Sequence, residues 1–450
     1  MRTILFLTVL IGVSLYSCTD FLDSKPNRSL AIPDNVKDLQ ALLDYEDRMN
    51  LYYPAAGDIA ADFYYLEEQD LQSRNISARE TYVWDAEAQN DGDWSLAYER
   101  IFFANVVLDE IDQAKLRANT EVDRRNVKGQ AYFIRGYTFY CLAQLFCPYY
   151  SVGSDDNGYG LPLKRSADIN EVVYRSSLKE TYDQIIEDLK QSVQLLPTEQ
   201  IMALRPAKAA AYAALARVHL TIQDYQQAVA YADSCLVIRS ELIDYNTIDS
   251  TLALPFPVLN QEVLFHAIIS TSSAVHNQSR AYVDSLAIAT YETNDLRASL
   301  YLQKDAGEGY RFKGSYSGSR NSLFGGIALD EVYLIKAESA ARLGFAEQAL
   351  DALGTLLKNR WKDGEYELPV TSGNHELVHL ILKEREKGLL FRGGLRWSDL
   401  RRLNTVGETA KMIERNLGGN SFSLPPNDLR YTFLIPWTVI QHSGMIQNPR

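Results

Sequence analysis

Hydrophobic and polar positions follow three regimes along this 450-residue chain. The first is an unbroken apolar run from Ile4 to Leu15 behind a single positive charge at Arg2. It is too short to span a bilayer comfortably and has the layout of a secretion signal. Residues 19 to 35, TDFLDSKPNRSLAIPDN, are polar and interrupted by proline, as a tether is. The second regime is helical. In DWSLAYERIFFANVVLDEI, Trp94, Tyr98, Ile101, Asn105 and Leu108 recur at steps of four and three and share one face, with Asp93 as the expected N-cap. Asn105 breaks that stripe and must be hydrogen-bonded if buried. The third regime, residues 240 to 328, loses the helical period, and DAGEGYRFKGSYSGSRNSLFGG alternates glycine, serine and aromatic residues. It is too long for a connector, and loops on a rigid scaffold are where binding residues concentrate.

Two helical segments repeat one arrangement. RPAKAAAYAALARVHLTIQDYQQAVAYADSCL places Leu215, Ala216, His219, Ala228, Ala232 and Cys235 at tetratricopeptide packing positions, with the turn at Gln223-Asp224. DEVYLIKAESAARLGFAEQALDALGTLLKNR does the same, with Gly344 in the turn and Ala337, Ala340, Ala349 and Leu353 inward. With the helical pairs near 95–146 and 178–222, these predict a mostly α fold, a superhelix of tetratricopeptide-like helical pairs. A loop-rich, ligand-binding excursion would interrupt it.

Composition is that of a globular protein, 46% hydrophobic and 23% charged. The formal charge of −13, or −14 once Arg2 is removed with the leader, offers no basic surface to a nucleic-acid backbone. Leu15-Tyr16-Ser17-Cys18 is similar to the lipobox of bacterial lipoproteins, in which the cysteine is acylated and becomes the mature N-terminus. Cys18 would then anchor the protein to a membrane surface without spanning it. The remaining Cys141, Cys147 and Cys235 sit in helical patterns as small apolar residues, and no essential disulfide is expected.

Several ordered motifs carry a resemblance. They are Cys18 followed by Phe21-Leu22-Asp23 and Pro26; LQALLDY with GDIAADFYYL; Trp94-x3-Tyr98-x2-Ile101-x3-Asn105; and Arg135 to Leu142 with GLPL at 160–163. Further along come the helical pair after Pro206, YLIKAESAARLG, RWSDLRR at 396–402, and a terminal IPWTVI with QNP. Together they resemble the SusD/RagB family of surface nutrient-binding lipoproteins. The resemblance implies a leader over 1–17, a lipidated tether over 18–35 and a helical domain over 36–450. It also implies an outer-membrane surface location, a TonB-dependent SusC-type transporter as partner, and capture of oligosaccharides or peptides without covalent chemistry.

An enzyme reading starts from His375-Glu376-x-x-His379, the spacing of zinc peptidases. It lacks a third ligand: the extended motif would want Gly at 382 and His at 385, where Leu382 and Arg385 stand. Asp399, a conceivable downstream carboxylate, lies in the RWSDLRR motif. His375 falls in a fraying first turn after Ser372-Gly373-Asn374, and Lys383 on the same stripe would repel a cation. A solvated helix edge is therefore expected, with no metal. Glu384 and Glu386 face different ways on a helix and make a poor acid/base pair. DDNGYG at 155–160 lacks the spacing of an EF-hand. A third reading, a tetratricopeptide adaptor for another protein's tail, would predict no transporter beside it.

For a sugar ligand, rigid aromatic faces with nearby amides or guanidinium groups are needed. Two stretches offer them. ADFYYL and RETYVWDAEAQNDGD supply Tyr64, Tyr65, Tyr82 and Trp84 near Arg79, Gln89 and Asn90. YRFKGSYSGSR supplies Tyr310, Tyr316 and Arg320. Alternation in TYVW predicts a short strand with Tyr82 and Trp84 on one face. Trp94 and Trp397 are assigned to packing.

Overall fold

The structure, a computed structural model, describes residues 33–154, 158–269, 277, 279–307, 309–369 and 373–450. The stretches read as leader and lipidated tether, Cys18 included, lie outside them up to residue 32, as does the Asp155-Asp156-Asn157 part of DDNGYG. Among the described residues, nine helices of nine or more residues build the body: α1 (Asp91–Glu110), α2 (Glu121–Phe146), α3 (Leu178–Leu195), α4 (Lys208–Thr221), α5 (Tyr225–Ile238), α6 (Leu329–Arg342), α7 (Ala346–Lys358), α8 (Asn374–Gly388) and α9 (Leu395–Leu403). From α1 to α7 each packs on its predecessor, and α8 packs back on α6. Helices α5 and α6 are direct neighbours although 90 residues separate them in sequence. The excursion therefore leaves the stack and returns to it without opening a gap.

Local signals set the helix starts. Thr120 and Asp123 form a capping box at α2, and Ser177 and Glu180 form another at α3, each satisfying two otherwise orphaned N–H groups. At α1 the expectation fails, because the helix begins at Asp91 behind Asn90. Asp93 instead turns away and accepts from the backbone N–H groups of Ala55 (2.9 Å) and Ala56 (2.7 Å). It serves the start of a different helix, Ala56–Ala60, and burial pushes its carboxyl up to about 6.

Close helix approach comes from small residues. A Cβ on Gly136 would lie 2.9 Å from the Asp188 Cβ, and one on Gly129 would lie 2.9 Å from the Leu195 Cβ, so both glycines let α2 meet α3. Beside them Arg135 clamps Asp188 in two bonds of 2.8 and 2.7 Å and reaches Asn105 Oδ1 at 2.9 Å. The Asn105 amide donates to the carbonyls of Lys164 and Ser166, so its burial is compensated as expected. Ala337, Ala340, Ala349 and Leu353 are fully buried, and Gly344 sits in its turn at φ +84°.

Several of the ordered motifs are anchors. The Tyr98 hydroxyl donates to Pro162 of GLPL at 2.9 Å, and Asn448 of QNP donates to Phe146 and Phe433 at 2.8 and 2.7 Å. In RWSDLRR, Trp397 is buried, Arg402 forks onto Glu338 at 2.6 and 2.8 Å, and Arg396 forks onto Asp62 at 2.6 and 2.8 Å. Such bidentate pairs fix the C-terminal segment on the stack.

Short strands of the excursion form two-stranded sheets, one of them with a strand from the N-terminal region. Strand β1 (Tyr64–Tyr65) pairs antiparallel with β3 (Tyr282–Val283), β2 (Val263–Phe265) with β6 (Ile327–Ala328), and β4 (Leu302–Lys304) with β5 (Tyr310–Phe312). A C-terminal hairpin joins β7 (Ile413–Leu417) to β8 (Asn420–Leu424). Under the excursion, Glu262 accepts from Arg360 (2.7 Å), the Tyr316 hydroxyl (2.9 Å) and the Ile243 N–H (2.8 Å). Cys141, Cys147 and Cys235 are free thiols, and burial pushes each up to about 12. Among the described residues no helix is long and apolar enough to cross a membrane.

Candidate ligand-binding site

Strand β1 carries two adjacent tyrosines, and the alternation of a strand sends them to opposite sides. Tyr64 turns inward, with its hydroxyl on the Ile59 carbonyl at 2.8 Å. Tyr65 turns outward and is 44% exposed. Its cross-strand partner is Tyr282, and the two rings stack at 5.2 Å with 15° between their planes. The Arg311 guanidinium of β5 sits 3.5 Å from the Tyr282 ring centroid. Asp305 holds both, accepting from Arg311 at 2.9 Å and from the Tyr282 hydroxyl at 3.1 Å. The hydrogen bond from Arg311 keeps the Asp305 carboxyl below the usual carboxylate range. Gly309 is required here, since a Cβ would fall 2.3 Å from Tyr282 Cδ1. The result is a stiff aromatic stack with one ring presented to solvent and a fixed cation beneath it.

Glu68, three residues beyond Tyr65, begins the wall of a groove of about 340 Å³ between the helix Ile76–Tyr82 and the β7–β8 hairpin. Leu71, Arg79 and Phe422 also line it. Arg79 donates to Gln72 at 3.0 Å, while its buried Nε has no protein partner. An aromatic platform beside a groove with an unspent guanidinium donor can take a ligand that is apolar on its faces and hydroxylated at its edges.

Four aromatic residues singled out in the sequence are structural instead. TYVW is not a strand: residues 76–82 are helical and Trp84 follows at φ +55°. Tyr64, Tyr82 and Trp84 are buried around the Arg415 guanidinium, which lies 5.4, 3.7 and 4.7 Å from their rings. Arg415 also donates to the carbonyls of Tyr82, Ile59 and Ala61, and the Trp84 indole donates to Ala60 at 2.9 Å. Tyr316 is buried on Glu262 with Arg392 4.4 Å from its ring. Asn90 is also buried; it accepts from Thr81 at 3.2 Å and lines a separate pocket of about 370 Å³ with Asp93. Tyr310 is half-buried in β5, and Arg320 is exposed in the following loop.

The two stretches nominated in the sequence do meet, but through residues outside the nomination. Tyr282 joins Tyr65 to β5, and Arg311 rather than Tyr310 faces the stack. The legible signal was parity: Phe312 is buried, so its neighbour Arg311 must face the other way. In RAYV, likewise, buried Ala281 and Val283 flank a Tyr282 that faces out.

A family model described as starch-binding and associating with the outer membrane matches residues 20–220. SusD-like protein P2 of Formosa agariphila is 24% identical, with 98% of each chain covered. The chain is similar to the SusD-like family, over residues 20–220 by the family model and over nearly its whole length by this relative. Solved structures agree on the fold. A SusD superfamily protein from Bacteroides vulgatus superposes at TM-score 0.75 with 23% identity, covering 92% of this chain and 99% of its own. Another from Bacteroides thetaiotaomicron reaches 0.74 with 20% identity, covering 92% and 100%. Surface glycan-binding protein A of Bacteroides fluxus reaches 0.72 with 18% identity, covering 93% and 100%.

Within this fold the enzyme candidates resolve physically. Asp399 is held between Arg385 and Arg402, both at 2.8 Å, and the two guanidinium charges outweigh its burial and bring it down to about 2. It cannot serve a metal on α8. Glu384 is buried on Arg297 and Lys387, both at 2.6 Å, and Glu386 pairs with Arg396. Both carboxylates of KEREKG therefore belong to the scaffold.

Proposed function

We infer that this SusD-like chain is a surface lipoprotein that captures oligosaccharides and delivers them to a TonB-dependent SusC-like transporter in the outer membrane. The single observation that carries the ligand class is the Tyr65 ring, exposed on a stack whose lower members are fixed by Arg311 and Asp305. A flat apolar face of that kind stacks on the C–H face of a sugar ring, and the neighbouring groove, with Arg79 and Gln72, accepts or donates at the hydroxyls. The starch-binding description of the matching family and the glycan-binding role named for the Bacteroides fluxus neighbour support the same ligand class. Acyl chains on Cys18 hold the protein at the membrane, and its work is binding and hand-over, with no bond made or broken.

A panel of α-glucan, β-glucan and host-type oligosaccharides, with oligopeptides as the competing class, tests the ligand by calorimetry on the lipid-free form. Saturable binding of at least one oligosaccharide is expected; binding of peptides alone overturns the sugar assignment. Cys18→Ser should release the protein into the medium, and a large plugged barrel should co-purify with the anchored form.

A further inference from the structure

The histidines at 375 and 379 gain in three dimensions what their sequence context lacks. One helical turn apart at the start of α8, they bring their Nε2 atoms to 3.2 Å. From the segment after α9, Glu408 places Oε2 2.6 Å from His375 Nε2. One ligand atom from each of the three lies within 4.8 Å of the other two. All three side chains are exposed. Lys383, the expected source of repulsion, has its Nζ 3.8 Å from Glu292 and is engaged there.

Hydrogen bonds within this trio account for only one of the two contacts at His375 Nε2 at a time. His375 Nε2 bears at most one hydrogen, yet it lies within reach of both a carboxylate oxygen and a second imidazole nitrogen. If it donates to Glu408 it offers no lone pair to His379; if it accepts from His379 it has nothing to give Glu408. A cation removes the conflict, because all three atoms then act as donors of lone pairs to one point. With metal–nitrogen distances of about 2.0–2.1 Å and tetrahedral angles, two imidazole nitrogens are separated by roughly 3.3 Å. The observed 3.2 Å matches this. The carboxylate must withdraw from His375 by about 0.7 Å to reach the same spacing, a small movement for an exposed side chain.

We propose that His375, His379 and Glu408 form a surface site for a divalent transition metal of the zinc class, with its remaining coordination position open to water. Two imidazoles and one carboxylate suit zinc and its first-row neighbours and disfavour calcium or magnesium, which take oxygen ligands. The ion would clasp the first turn of α8 to the segment beyond α9. Spacing rules miss the site because Glu408 is a ligand from another element, 29 residues beyond His379.

The test uses the untagged full-length protein, titrated with cobalt(II) and followed by its visible d–d absorption, then back-titrated with zinc. One equivalent is expected, displaced by zinc, with affinity falling about tenfold or more in each of His375→Ala, His379→Ala and Glu408→Ala. His442→Ala, exposed on another helix, serves as the control and should bind as the parent does. Circular dichroism verifies that the variants fold, which their exposure favours. Absence of the d–d bands overturns the proposal, as does unchanged affinity in any of the three site variants.

Discussion

Tyr65→Ala and Tyr316→Phe separate a binding ring from a structural one. The exposed part of Tyr65, 44% of a side chain of roughly 200 Å², is about 90 Å². At about 25 cal/mol/Å², covering all of it would contribute ~2 kcal/mol. A sugar covers one face, so half of that, about 1 kcal/mol, is the expected loss, or roughly fivefold in Kd. Losing the stack on Tyr282 costs stability by a comparable ~1 kcal/mol. Tyr316→Phe removes the hydroxyl that donates to Glu262 at 2.9 Å in a buried setting, leaving a carboxylate oxygen short of a partner at a cost of about 2 kcal/mol. Calorimetry with the tightest-binding glycan, paired with urea unfolding, reads both quantities. Tyr316→Phe should bind as the parent does while its midpoint drops. If Tyr65→Ala binds unchanged and Tyr316→Phe binds weakly at temperatures where both are folded, the assignment of the site to the outer stack is wrong.

Other consequences are equally direct. Gly136→Ala should destabilise by about 1–3 kcal/mol despite alanine's better helix propensity, because the new methyl meets Asp188 and the Ile185 carbonyl on a packed helix; a lower urea midpoint at unchanged slope is the signature. Arg415→Met should cost on the order of 3 kcal/mol, since three buried carbonyls lose a charged donor; a midpoint within about 0.5 kcal/mol of the parent counts against the cage. Burial pushes Asp58 up to about 7 even though the Gly394 N–H donates to it, and the nearby Asp93 adds to the rise. A carboxyl raised in this way holds its proton more tightly when folded, so its contribution to stability is complete below about pH 4 and is lost as pH climbs through 7. Asp58→Asn keeps an acceptor for Gly394 and removes that slope, so its stability relative to the parent should rise by ~3 kcal/mol between pH 5 and pH 8. Parallel pH profiles for the two proteins contradict this account.

The sequence by itself determined the helical stack. Period, capping boxes and the alanine and glycine spacing are local properties, and each acts within a turn or between adjacent helices, so α1 to α7 could be read in order. It also marked which tryptophans pack, because Trp94 and Trp397 sit in stretches that resemble the scaffold of the SusD/RagB family rather than in variable loops. The fate of the remaining aromatics was decided only in three dimensions. Tyr64 and Tyr65 are adjacent and chemically identical, yet one faces Arg415 and the other faces water. That difference depends on a strand partner more than two hundred residues away. Trp84 became core because Arg415, from a hairpin at the far end of the chain, needed a wall of rings around its charge. Glu408 likewise reaches His375 only through the packing of α8 and the segment after α9. Long-range charge pairing and strand register have no local period, so nothing short of the folded chain reveals them.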